Sequence, residues 1–140
     1  MSRIFWDTNL FIYLFEDYGE LSGRVSELRQ RMLDRGDQLF TSTFTLGEIL
    51  VKPREKGDSE LGKKYERILQ ATASIVPFDR RAALHYASVR QDRSVKWPDA
   101  IQLACAAQAQ SDLFITNDQR LAGKIVPGIQ FVIPLQSAYL

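Results

Sequence analysis

Four acidic residues, Asp7, Glu48, Asp99 and Asp118, stand at comparable points of a repeating sequence pattern. Asp7 lies in IFWDTNLFIY, where Ile4, Phe5 and Trp6 run straight into an acid, an alcohol and an amide before apolar sequence resumes at Leu10. Such flanks predict a carboxylate near a core, where an isolated charge is costly. Four carboxylates gathered in one place would repel one another, raising their pKa values and destabilising the fold unless a cation neutralised them. An all-oxygen set without His or Cys suits Mg²⁺ or Mn²⁺. It would hold one ion, or two about 4 Å apart, which activate water and stabilise the leaving oxygen of a phosphodiester. Such chemistry needs no histidine, whereas attack by a 2′-OH usually relies on an acid–base pair of which His is the commonest member. The one histidine, His85 in AALHYA, has no evident partner and reads as a packed or surface residue.

The elements that must position these acids alternate in type. RIFW, QLFTS, SIVPF, DLFIT and IQFVI read as strands, with Pro77 ending the third or placing it at an edge. LFIYLFE, SGRVSELRQRMLDRG, FTLGEILVK, SELGKKYERILQA, DRRAALHYASVR, PDAIQLACAAQAQ and a short DQRLAG read as helices. Gly36 stops the second, Pro53 the third, and Pro98 opens the PDAIQ helix at or beside its first position. The alternation predicts an α/β domain whose mainly parallel sheet of four to five strands is covered by helices on both faces, three layers in all. In an open parallel sheet, ligand sites form at the carboxyl ends of the strands. On this map Asp7 follows the first strand, Glu48 lies in the first turns of the helix after the second, Asp99 follows Pro98, and Asp118 follows the fourth strand. The map therefore brings all four to one edge.

Composition sets the limits. The chain has 140 residues, 45% hydrophobic and 25% charged, and reads as one domain over residues 1–140. Eighteen Lys and Arg nearly balance seventeen Asp and Glu, so the net charge of +1 creates no global field for nucleic acid or membrane. A single cysteine, Cys105, excludes an intrachain disulfide, and one Cys with one His cannot build a usual zinc site. The apolar run Leu10 to Phe15 is shorter than a signal-peptide core or a membrane span, so a cytoplasmic location without membrane contact is expected.

Each acid also has a plainer reading. Asp99 and Asp118 taken singly suit helix caps, and Glu48 suits a solvated helix position. Their common placement after strands and at helix starts gives the set its force. Arg80, Arg81, Arg90, Arg93 and Lys96 concentrate positive charge ahead of Asp99, and Arg120 follows Asp118; Arg120, Arg93 and Lys96 are candidate RNA contacts, against a solvated helix face. Trp97 could stack on a base, but an aromatic beside a helix start is more often core or staple, and it is left out of the site. A phosphoacceptor receiver would pair adjacent acids after the first strand, and an aspartyl phosphatase would need a second acid at Asn9. Neither pattern is present.

DTNLFIY, TLGEIL, PDAIQLACA and LFITND resemble, in order, the four acidic motifs of the PIN domain, spanning residues 7 to 118. The resemblance implies a Mg²⁺- or Mn²⁺-dependent ribonuclease whose metal-binding and catalytic acids are Asp7, Glu48, Asp99 and Asp118. It further implies that Thr8 and Asn9 orient Asp7 or the attacking water, and that Thr116 and Asn117 support the last acid. The single-domain length resembles the VapC-type toxin branch, which implies a small antitoxin partner that occludes the site, an RNA substrate and a homodimer. The alternative is a non-catalytic PIN-like module that binds metal or RNA. Pro53, soon after the second motif, implies a short helix there and a variable loop.

Overall fold

The computed structural model describes residues 1–140. Strands β1 (Arg3–Trp6), β2 (Gln38–Ser42), β3 (Ser74–Val76), β4 (Ser111–Thr116) and β5 (Ile129–Pro134) pair in the order β3-β2-β1-β4-β5, and every pairing is parallel. Between them run α1 (Thr8–Phe15), α2 (Glu20–Arg35), α3 (Thr43–Ile49), α4 (Val51–Glu55), α5 (Ser59–Thr72), α6 (Arg80–Val89) and α7 (Trp97–Gln108). The α/β class, the five strands and the edge position of the Pro77 strand are as expected from the sequence.

Central β1 explains the uninterrupted apolar run before Asp7. Ile4 and Trp6 pack on one face with Phe11, Leu28, Met32 and Leu69, whereas Phe5 packs on the other with Leu103, Phe114 and Val132. Burial on both faces removes the alternation that a half-exposed strand would show. Phe5 and Phe114 stack across adjacent strands with centroids 5.4 Å apart. The second face is covered by α7, whose buried Ala100, Ala104, Ala106 and Ala107 present a smooth surface to the sheet.

The chain runs from β1 outward to β2 and β3, then crosses to β4 and β5 on the other side of β1. The reversal leaves a crevice between the carboxyl ends of β1 and β4, the usual place for a ligand site in such sheets. Asp7 follows β1 directly and Asp118 follows β4 by two residues.

Three local expectations are corrected. The helix after β2 breaks at Leu50, and Pro53 sits in the first turn of α4, where a missing N–H costs no helical bond. Glu48 is accordingly in the last turn of α3, not its first. DQRLAG is a turn, because the Asp118 carboxylate captures the Arg120 backbone N–H and Gly123, at φ 78°, donates to the Val132 carbonyl.

Candidate active site

Asp7 is both the N-cap of α1 and the floor of a cleft of about 250 Å³, which Glu48, Asp99 and Asp118 also line. Only 7% of Asp7 is exposed. Its Oδ1 accepts from the Thr8 amide at 2.9 Å and its Oδ2 from the Thr116 hydroxyl at 2.7 Å. The Thr116 bond spans the crevice between β1 and β4. Thr116 Oγ1 in turn accepts from the Asp118 amide at 3.0 Å, so one hydroxyl ties the first acid to the last.

The remaining carboxylates are held differently. Glu48 Oε1 accepts from the Thr8 hydroxyl at 2.6 Å. Asp118 is gripped by Arg120 through two bonds of 3.0 and 2.7 Å. Asp99 lies in the first turn of α7 but does not cap it, because the N-cap is Lys96. No salt bridge reaches Asp7, Glu48 or Asp99. Their carboxyls are all raised above the ordinary range, chiefly by burial; the charge of Glu48 adds to the rise at Asp7, that of Asp99 at Glu48, and those of Asp7 and Asp118 at Asp99. Hydrogen bonds from Thr116 and Thr8 oppose the rise at Asp7. Asp118 is lowered instead, first by its hydrogen bond to Arg120.

No three of the acids are drawn tightly enough together to form a ready-made metal cluster. Thr8 ties Glu48 and Arg120 ties Asp118, so the four line one cleft without closing on a point. The donor set nevertheless fits a hard divalent cation: every donor is oxygen, and three carboxylates that raise one another's pKa have no cationic partner.

Gln102, only 1% exposed, was not singled out from the sequence. Its Nε2 donates to Thr45 Oγ1 at 2.7 Å, to Thr8 Oγ1 at 3.0 Å and, at 3.4 Å, toward Asp7 Oδ1, while its Oε1 accepts from Ser42 Oγ. The Thr8 proton goes to Glu48, so Thr8 accepts from both Gln102 and Thr45. Thr41 completes the network by donating to Thr45 at 2.8 Å. Gln102 lies one turn after Asp99 and is the lone long polar side chain in PDAIQLACA, which is the signal that was there to be read.

Thr8 reaches Asp7 through its amide and Glu48 through its hydroxyl, Thr116 bonds the Asp118 amide, and Asn117 donates its side chain to the Tyr13 hydroxyl at 3.0 Å rather than to Asp118. Asn9 lines the cleft and accepts weakly from the Asn117 amide at 3.4 Å. The charges of Arg120 and Lys96 oppose the rise at Asp99 and add to the lowering at Asp118, whereas Arg93 is exposed and forms no salt bridge. Trp97 is not in the core: it is 55% exposed and rests against Phe44, with ring centroids 6.0 Å apart. His85 lines a separate surface cavity with Ser88, Asp92 and Lys124, and none of the four acids borders it.

Solved structures share this architecture. A chain of DNA-bound VapBC from Salmonella typhimurium is 20% identical, with a TM-score of 0.71, over 96% of this chain and 99% of that one. A chain of VapBC2 from Rickettsia felis, bound to a promoter DNA fragment, is 14% identical, with a TM-score of 0.70, over 94% and 98%. A toxin-antitoxin complex from Klebsiella pneumoniae contributes a chain 24% identical, with a TM-score of 0.64, over 90% and 94%. The sequence matches no curated protein. The PIN domain profile matches residues 4–124, which include all four acids and every strand but the last. With that match and this sheet, the chain belongs to the PIN-domain family.

Proposed function

We propose that this protein is a metal-dependent endoribonuclease, the toxin of a VapBC-type pair, that hydrolyses RNA phosphodiester bonds. The observation that carries the reading is the unbalanced charge of the cleft. Asp7, Glu48 and Asp99 line one cleft at the carboxyl edge of a parallel sheet, and none of the three has a salt-bridge partner. Asp7, Glu48, Asp99 and Asp118 would hold Mg²⁺ or Mn²⁺, which when bound activates water and stabilises the leaving oxygen.

The chain's own residues divide the remaining work. Thr116 and the Thr8 amide fix both oxygens of Asp7, and the Thr8 hydroxyl fixes Glu48. Asp99 alone of the four accepts no side-chain or backbone hydrogen bond, which leaves its carboxylate uncommitted and able to take a proton from an attacking water. With water as nucleophile and the 3′-oxygen as the leaving group, the products carry a 5′-phosphate and a 3′-hydroxyl and no cyclic phosphate forms. The fold shared with chains of VapBC and toxin-antitoxin structures supports a small antitoxin as the physiological partner, and a homodimer is proposed as the working assembly.

The test is cleavage of a mixed RNA pool by purified protein with Mg²⁺ or Mn²⁺, with chelator, and with Asp99→Asn. Cleavage that requires both the metal and Asp99 is expected. The open spacing of the acids favours a second reading, a non-catalytic metal- or RNA-binding module, which predicts binding without cleavage under the same conditions.

A further inference from the structure

Trp97 is an exposed indole at the rim of the acid cleft, one residue before cleft-lining Pro98 and two before Asp99. Its ring leans on Phe44 of α3 at an interplanar angle of 59°. Phe44 precedes Glu48 by four residues, so the two share a face of α3, about 6 Å apart along its axis. Glu48 and Asp99 are near enough for the charge of one to act on the other. The same gap between α3 and α7 thus carries a carboxylate pair and, beside it, an aromatic pair. Lys96 precedes Trp97 in the chain, is exposed and forms no salt bridge, while Arg120, paired with Asp118, keeps its side chain 64% exposed; both lie near enough for their charges to act on Asp99.

An indole left over half in water gains little from the core, and its surroundings suit a particular occupant. An exposed π-face with basic side chains on neighbouring positions suits an unpaired nucleobase and its adjoining phosphates. We infer that Trp97, backed by Phe44, is a stacking platform for an unpaired base of a single-stranded RNA whose phosphates are met by Lys96 and Arg120. The inference rests on the ribonuclease reading for the identity of the polymer, and it adds the residue pair that holds a base beside the cleft. In a duplex the bases are already stacked and paired, so they have no free face to offer.

The two tryptophans make the test direct, because Trp6 is wholly buried and Trp97 alone meets solvent. Short single-stranded oligoribonucleotides of mixed sequence are titrated into the full chain, with Ca²⁺ present to neutralise the carboxylates. They are expected to quench the exposed tryptophan emission, and the same sequences annealed to their complements are not. By anisotropy of labelled RNA, Trp97→Leu should weaken single-strand binding roughly 5- to 150-fold, the contribution of one stacked base, and Trp97→Phe should restore most of it. Mn²⁺ affinity should stay unchanged in both variants.

Equal single-strand binding by wild type and Trp97→Leu overturns the inference. So does an unchanged affinity for RNA accompanied by a loss of dimer mass in light scattering, which would make the patch a protein contact. The two readings fail separately. Trp97-dependent binding without cleavage under Mg²⁺ or Mn²⁺ would leave the platform standing and remove the nuclease; metal-dependent cleavage indifferent to Trp97 would do the reverse.

Discussion

At the scale of single residues, the cleft trades stability for charge. Burial raises the Asp7 carboxyl, so the folded metal-free protein holds that proton more tightly than the unfolded chain does. A raised carboxyl contributes stability that is fully present below its unfolded pKa and is lost as pH rises through the folded value. Asp7→Asn should therefore raise the Tm of metal-free protein at pH 7 while abolishing cleavage, and the gain in Tm should vanish near pH 3; Asn also preserves the cap of α1. A lower Tm at pH 7 would contradict this. Thr116→Val removes the hydroxyl that joins Asp7 to the Asp118 amide and should weaken Mn²⁺ binding roughly 10- to 100-fold, measured by calorimetry. The four acids could be read from the sequence because each follows a recognisable strand or helix start. Gln102 could not be placed, because its role depends on Thr8, Ser42 and Thr45, which are distant in sequence and meet it only after folding.

At the scale of elements, the apolar runs and turn residues gave the five strands and the order of the helices, whereas local competition decided the exceptions. Pro53 reads as a stop, yet it is equally at home in the first turn of a new helix, and only the break at Leu50 distinguishes the two. DQRLAG has a helical composition, but the side-chain bonds of Asp118 divert it into a turn that brings Arg120 to the cleft. Trp97 was misread because a helix start is usually a packed corner, and nothing local reveals that this one opens toward solvent. One glycine carries a sharp constraint. Gly128 has φ 99°, and a Cβ there would come within 2.9 Å of the Ala107 carbonyl oxygen. Gly128→Ala should press α7 away from the turn into β5 and cost on the order of 3 kcal/mol in a urea titration. A change below about 0.5 kcal/mol would show that the turn yields freely.

At the scale of the molecule, the absence of a net field means that affinity for RNA must be built locally. A charge of +1 does not steer a polyanion, and the cations close to the acids are Lys96 and Arg120. Two phosphate contacts on a single strand predict a slope of about −1.4 for log K against log salt concentration. A slope several times steeper would require the Arg80 to Arg93 cluster to take part. The sheet order places the crevice between β1 and β4, and every acid reaches it from a different segment, so the site is a property of the whole fold. If water, directed by these acids and a divalent cation, cuts RNA, the fragment ends will record it. The ends are to be identified for wild type and for folded Asp7→Asn in Mg²⁺ or Mn²⁺. Wild type should leave 5′-phosphates and 3′-hydroxyls, and Asp7→Asn should produce no fragments. Cyclic 2′,3′-phosphate ends, or fragments from Asp7→Asn equal to those of the wild type, would contradict that chemistry.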